Sequence, residues 1–218
     1  MYQRQVLIVE DEALLRDLLA QTLGTRGFTV FTAANALQAR EVFDEADVDA
    51  IIVDINLGPG LDGFDLAEAL VRENPALGIV FLTNLPDGRF SGHQSRDVFT
   101  GAAYLRKAQL LDSNELVDAL EAVLVGRVNS SQRHDQDPHR PLAELSRMQL
   151  EVLKMVAQGR SNQQIAEARG RSVGSVESML TRIFSVLRID ASSDRNARVE
   201  AARAYMAALG TPALLESL

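Results

Sequence analysis

Apolar positions in the first 125 residues keep two rhythms in turn. Short β-branched runs at Gln5–Val9, Phe28–Thr32, Ala50–Asp54, Gly78–Thr83 and Ala102–Leu105 predict strands. Between them, apolar residues recur at helical spacing over Glu12–Thr25, Ala34–Glu45, Leu61–Glu73 and Ser113–Val125. Leu14, Leu15, Leu18, Leu19 and Leu23 are expected on one side of the first helix, and Asn74-Pro75 closes the third. Strands alternating with helices imply an α/β fold, a parallel sheet covered on both faces. The stretch Leu85–Gly101 breaks the rhythm. Pro86, Asp87, Gly88, Ser91 and Gly92 leave room only for a short helix that starts late.

Beyond residue 141 no strand rhythm remains. Ser146–Gln158 carries Met148, Val152, Met155 and Val156 at helical spacing, and Ser161 can cap a short helix holding Ile165 and Ala166. Val173–Leu187 places Val176, Leu180, Ile183, Phe184 and Leu187 on one stripe, and Ser193–Leu209 is an alanine-rich fourth helix. The two patterns divide the chain into residues 1–126 and 142–218. The stretch between them, Arg127–Pro141, has Val128 as its one apolar side chain besides prolines and is expected to be a flexible linker. His134 and His139 within it read as solvated linker residues rather than metal ligands.

Composition and charge sharpen this division. The 218 residues include no cysteine, which excludes disulfides and thiol nucleophiles and fits a cytoplasmic protein. The apolar run Val6–Val9 stops at Glu10, too short for a signal segment or a membrane span. The net charge is −8, which as a whole disfavours nucleic acid. Residues 1–126, however, carry −11, residues 127–141 carry +1, and residues 142–218 carry +2. The acidity belongs to the first region alone, and the second is free to approach phosphates.

In an open parallel sheet, ligands bind at the carboxyl ends of the strands. The predicted strands end in Glu10-Asp11, Asp54, Thr83 and the run Tyr104-Leu105-Arg106-Lys107. Three converging carboxylates repel and raise one another's pKa unless a cation sits among them. Mg²⁺ suits a site of few protein oxygens with room for water and phosphate. The set fits phosphoryl transfer, with Asp54 as nucleophile forming an acyl phosphate. Glu10 and Asp11 would hold the metal, Lys107 would pair with the phosphoryl oxygens, and Thr83 would hydrogen-bond the new group.

Residues 1–126 resemble the receiver domain of bacterial two-component response regulators. The matching pieces are Val9-Glu10-Asp11-Glu12, Asp54, Gly60-x-Asp62-Gly63-Phe64-Asp65-Leu66, Leu82-Thr83 and Tyr104-x-x-Lys107. The resemblance implies a flavodoxin-like, doubly wound, five-stranded sheet and phosphorylation of Asp54 by a phosphohistidine kinase. It also implies Mg²⁺ held by Glu10, Asp11, Asp54 and the backbone carbonyl of Asn56. In the switch it implies, Thr83 moves toward the phosphoryl group and Tyr104 swings inward. Two positions depart from the family: Ala108 stands where proline usually follows the lysine, and Asn84 where a small residue usually follows the threonine. The loop after the fifth strand is therefore expected to differ, and the segment from Leu85 to Gly101 to be the mobile or reshaped part of the switch.

Residues 142–209 resemble the four-helix, helix-turn-helix DNA-binding domain of the LuxR family. The pieces are Leu145-Ser146-x-x-Gln149-x-Glu151-Val152-Leu153, Gly159-x-Ser161-Asn162-x-x-Ile165-Ala166, and Ser172-x-x-Ser175-Val176-x-x-x-Leu180-x-Arg182-Ile183-x-x-x-Leu187. Together the regions resemble the NarL/FixJ class of transcriptional regulators. Ser175, Glu177, Ser178, Thr181, Arg182 and Ser185 face away from the apolar stripe and are expected to enter the major groove. Arg160, Arg169, Arg171 and Arg188 add basic help. Glu177 stands where the family commonly has a basic residue, and it can accept from cytosine N4.

The expected function is a homodimeric, DNA-binding transcriptional regulator, not an enzyme, switched by a histidine kinase. The alternative is a signalling module acting through protein–protein contacts with weak or lost DNA binding, motivated by Glu177 and the low positive charge. A phosphate hydrolase on a similar sheet commonly has an acid two residues after the nucleophile, where this chain has Asn56.

Overall fold

The computed structural model describes residues 3–58, 60–91, 99, 101–110, 112–189 and 196–210. The chain divides into two compact units, Met1–Asn84 with Ser95–Asp137, and Leu85–Gln94 with Pro138–Leu218.

The first unit is a five-stranded, all-parallel sheet. Its strands are β1 (Gln5–Val9), β2 (Thr29–Ala33), β3 (Ala50–Val53), β4 (Gly78–Thr83) and β5 (Ala103–Arg106), in the order β2-β1-β3-β4-β5. That is the flavodoxin-like doubly wound order, which reverses direction between β1 and β3 and opens a crevice at their carboxyl ends. Helices α1 (Ala13–Thr25), α2 (Ala36–Glu45), α3 (Gly63–Glu73) and α4 (Ser113–Leu124) alternate with the strands. β3 and β4 are buried at every position, as strands covered on both faces must be.

Below one face, Ile8, Ile52, Leu82 and Leu105 pack with Leu19, Leu23, Leu116 and Leu120. On the other side Phe64 and Phe81 meet at 4.6 Å, and Phe81 lies 6.1 Å from Tyr104. Of the five leucines expected on one side of α1, only Leu19 and Leu23 are buried and Leu15 is half-buried. Leu14 and Leu18 are exposed. A step of four residues keeps 15, 19 and 23 in line, whereas 14 and 18 lie a turn of about 100° to one side.

Several helix starts are set by side chains. Asn35 caps α2, Asp62 caps α3 and Asp112 caps α4, each accepting from backbone N–H groups of the first turn. α4 needs no reciprocal glutamate because Asp112 accepts from both Asn114 and Glu115.

His134 differs from its expectation. It is half-buried, its Nδ1 accepts from the Arg106 N–H at 3.0 Å, and its Nε2 lies 3.2 Å from Glu115 Oε1. Arg133 forms a parallel bridge with Tyr104, so polar residues here satisfy the free edge of β5. The segment has little apolar surface to bury, and backbone pairing takes its place.

The second unit holds α5 (Arg147–Ala157), α6 (Asn162–Arg169), α7 (Val173–Val186) and α8 (Ala197–Ala208). Ser146 and Ser161 form capping boxes with Gln149 and Gln164. Gly170 ends α6 in the left-handed conformation, which glycine adopts without a Cβ penalty, and the chain turns at once into α7. Leu150, Val152, Leu153 and Val156 form the buried side of α5, whereas Met148 is exposed.

Leu85 to Ser91 belong to this second unit rather than to the sheet. They make one 3-10 turn, Gly88–Phe90. Asp87 is buried, bonded to Arg89 Nε at 2.8 Å and to Arg140 Nε at 2.6 Å. Arg89 also donates to the carbonyl of Leu145, and the Phe90 ring stacks on Tyr205 at 5.6 Å. The expectation of a mobile or reshaped stretch lies outside the described residues for 92–98 and 100, as does the C-terminal tail Thr211–Leu218.

Candidate phosphoacceptor site and nucleic-acid interface

The ends of β1 and β3 and the first residue after β5 bring four predicted residues together. Glu10, Asp11 and Asp54 each offer an oxygen, and these oxygens lie within 4.8 Å of one another. Lys107 Nζ reaches Glu10 Oε2 at 2.6 Å and Asp54 Oδ2 at 2.7 Å. Glu10 and Asp54 are buried and Asp11 is exposed, so the pocket opens toward solvent on the Asp11 side.

Burial pushes the Glu10 carboxyl above its ordinary value; Asp54 adds to this and Lys107 opposes it. Burial works against the Lys107 charge, yet Asp54 and Glu10 together hold its ammonium above the usual lysine value. An all-oxygen set with two buried members suits a hard divalent cation, and Glu10, Asp11 and Asp54 fit that role.

Thr83 is fully buried at the carboxyl end of β4, and Tyr104 is buried on β5. Asn56 is exposed just past β3, and its N–H donates to Asp54 Oδ1 at 3.2 Å. Asn84 is exposed, next to Thr83. After β5 the chain runs straight into a 3-10 turn, Lys107–Gln109, so Ala108 is accommodated within that turn.

Two supporting residues escape a reading of the sequence. Arg16 donates to the Glu10 carbonyl at 2.7 Å and ties α1 to the acidic strand end. A Cβ at Gly63 would meet the Asp54 carbonyl oxygen at 2.1 Å, and the Gly63 N–H donates to Ile55 O at 2.9 Å. Only a residue without a side chain lets α3 start this close to the acceptor strand. The Gly60-x-Asp62-Gly63 pattern held that signal, but it reads equally as a turn.

In the second unit, Val176, Leu180 and Ile183 are buried and bind α7 to the other helices. Arg171, Ser175, Glu177, Ser178, Thr181, Arg182, Ser185 and Arg188 are all exposed. Those from Ser175 to Ser185 lie on the solvent side of α7, the second helix of a helix-turn-helix, with Arg171 just before the helix and Arg188 just after it. Arg160 is exposed as well, while Arg169 pairs with Glu151 at 2.9 Å.

A sheet of flavodoxin-like order with an acidic strand-end pocket and a lysine defines a receiver-type signalling unit, and the capped helix-turn-helix defines a DNA-binding type. Residues 6–95 match the family of response regulator receiver domains, and residues 143–200 match the LuxR family of bacterial regulatory proteins. The chain belongs to the response regulators of NarL/FixJ type, in which a receiver is joined to a LuxR-family domain.

It is 29% identical over 196 residues to the transcriptional regulatory protein TdiR of Thauera aromatica, covering 87% of this chain and 82% of that one. It is 26% identical over 202 residues to the oxygen regulatory protein NreC of Staphylococcus carnosus, covering 85% and 91%. The fold is similar to that of the RcsB response regulator of Salmonella typhimurium, with a TM-score of 0.53 at 21% identity over 92% of this chain and 98% of that one. It is also similar to the receiver domain of an HD domain-containing protein of Pseudomonas fluorescens, with a TM-score of 0.51 at 25% identity over 58% and 90%. Among the described residues no helix is long and apolar enough to cross a membrane.

Proposed function

We propose that the chain is a cytoplasmic transcriptional regulator whose DNA binding is switched by phosphorylation of Asp54, and that it has no catalytic turnover of its own. The reading rests above all on Lys107 Nζ at 2.7 Å from Asp54 Oδ2, beside two further carboxylates. Glu10, Asp11, Asp54 and the backbone carbonyl of Asn56 would hold Mg²⁺, which offsets charge between the attacking carboxylate and the incoming phosphoryl group.

A phosphohistidine of a histidine kinase is the donor. An Asp54 carboxylate oxygen forms the new P–O bond as the P–N bond to the donor imidazole breaks. The electron pair goes to the imidazole nitrogen, which takes up a proton. Lys107 pairs with the phosphoryl oxygens where it now pairs with Asp54. Thr83 sits one strand away and supplies a hydroxyl to the phosphoryl group, and Tyr104 follows it as the second switch residue.

α7 would lie in the major groove of promoter DNA as one half of a homodimer. Its hydroxyls and Glu177 would face the bases, with Arg182 at a phosphate or a flanking base and Arg171 and Arg188 toward the backbone. The relatives named as transcriptional and oxygen regulators support a role in gene control.

Intact-mass measurement after incubation with acetyl phosphate and Mg²⁺ tests the acceptor. A single phosphoryl adduct is expected, lost in Asp54→Asn; an adduct that persists in that variant would move the acceptor elsewhere. DNA retention at low salt, with and without beryllofluoride, tests the switch. A second reading, a protein-contact module without DNA binding, is favoured by the exposed carboxylate of Glu177. Absence of any salt-dependent retention would select it.

A further inference from the structure

Resting on the reading of α7 as a DNA-reading helix, the polarity of its exposed hydrogen-bonding groups carries a further conclusion. Ser178 Oγ donates to the Gly174 carbonyl at 2.9 Å, and Thr181 Oγ1 donates to the Glu177 carbonyl at 3.0 Å. A carbonyl oxygen only accepts, so each hydroxyl has committed its single proton to the helix backbone. What Ser178 and Thr181 present outward is lone-pair oxygen. Thr181 is four positions after Glu177 and three after Ser178, so it neighbours both on the helix surface, and all three are exposed. The Glu177 carboxylate is acceptor-only when ionised and makes no ion pair among the described residues. Three neighbouring groups on the exposed face of α7 therefore offer acceptors and no donor.

The major-groove edge of guanine offers only the acceptors O6 and N7, which this patch repels. Cytosine N4 and adenine N6 offer donors. We infer that residues 177, 178 and 181 make α7 a reader of base amino groups, with Glu177 demanding cytosine and excluding guanine at the position it faces. Arg182, exposed and without an acceptor, belongs to the phosphate or flanking contacts rather than to this patch.

The test is selection from a randomised duplex pool by the full chain, with and without beryllofluoride and Mg²⁺, followed by sequencing of the retained DNA. Wild type is expected to enrich a motif with cytosine at one position of each half-site. Glu177→Gln, which can donate and accept, is expected to move that position toward adenine. Glu177→Lys is expected to move it to guanine. Competition with a single-base variant of the wild-type motif should show about ten-fold discrimination against guanine, lost in Glu177→Ala.

Identical motifs for wild type and Glu177→Lys would overturn the inference while leaving DNA reading by α7 intact. A wild-type chain that retains DNA without any sequence preference would overturn the inference and leave only backbone binding. A wild-type chain that retains no duplex at low salt would overturn both this and the function proposed above. Far-ultraviolet dichroism of each variant confirms that a changed motif comes from a folded α7.

Discussion

At the scale of single residues, Gly63 is the position where the least substitution should do the most. An added methyl meets the Asp54 carbonyl oxygen at 2.1 Å, a backbone atom that cannot turn aside. Gly63→Ala is expected to destabilise the sheet unit by more than about 2 kcal/mol, as overpacking of a rigid site does. It should also slow phosphoryl acceptance, because relief of the clash displaces β3 at its functional end. Denaturant titration and adduct formation check the two effects, and wild-type values for both would disprove the close approach.

The acids of the pocket were legible in the sequence because each follows an apolar strand, and strand ends in a parallel sheet converge. Gly63 was not legible in the same way. Its contact is with a backbone carbonyl nine positions earlier, and a glycine in that pattern reads equally as part of a turn. Asp11 gives a second residue-scale prediction. It is the exposed member of the carboxylate set, so Asp11→Asn leaves the buried packing untouched. Mg²⁺ at about 100 times its Kd is expected to stabilise the native protein by about 2.7 kcal/mol. The resulting rise in Tm should largely vanish in Asp11→Asn, and an undiminished rise would place the ion elsewhere.

At the scale of elements, the strands follow their hydrophobic runs to within a residue or so, because buried parallel strands leave no polar face to confuse the pattern. α1 shows the limit of that logic. Five leucines in ten positions define no single stripe until the packing of β1 and β2 chooses Leu15, Leu19 and Leu23. The 3-10 turn Gly88–Phe90 was the least legible element. With Pro86 before it and Gly88 at its start it reads as a loop, yet Asp87, which caps it, is bonded to Arg140, a partner 53 positions away.

That carboxylate is the clearest target in the helical unit. Burial alone would raise its pKa, but the Arg89 and Arg140 guanidiniums outweigh this and hold it below the usual aspartate value. A depressed folded-state pKa means stability that is complete above the unfolded value of about 4 and fades as pH falls through the lower, folded value. Asp87→Ala is expected to cost about 3 kcal/mol, the low end for a broken buried pair, since both guanidiniums keep some access to water. The variant should also lose this contribution to acid sensitivity below pH 4. Denaturant midpoints at pH 7 and pH 3 for wild type and variant measure it. A difference that stays constant between the two would contradict the ion-pair account.

For the whole molecule, the question is how a chain of net charge −8 holds an anionic duplex. Residues 1–126 carry −11 and residues 142–218 only +2, so attraction has to come from local cations rather than from the overall field. Arg171, Arg182 and Arg188 are exposed cations at or beside the face of α7. With one phosphate neutralised by each in both protomers of the proposed dimer, the slope of log K against log salt is expected near about −5, from roughly −0.9 per phosphate. Arg171 lies in the turn before α7, and its backbone N–H bond to Ala166 O survives a change of side chain. Arg171→Ala should therefore reduce the slope by about 2 for the dimer, one per protomer, and weaken all sequences alike. Glu177 substitutions should instead change which sequence is preferred. Binding isotherms between low and moderate salt separate the two classes: a slope unchanged in Arg171→Ala would remove that arginine from the backbone contacts, and a preference altered by it would place it on a base.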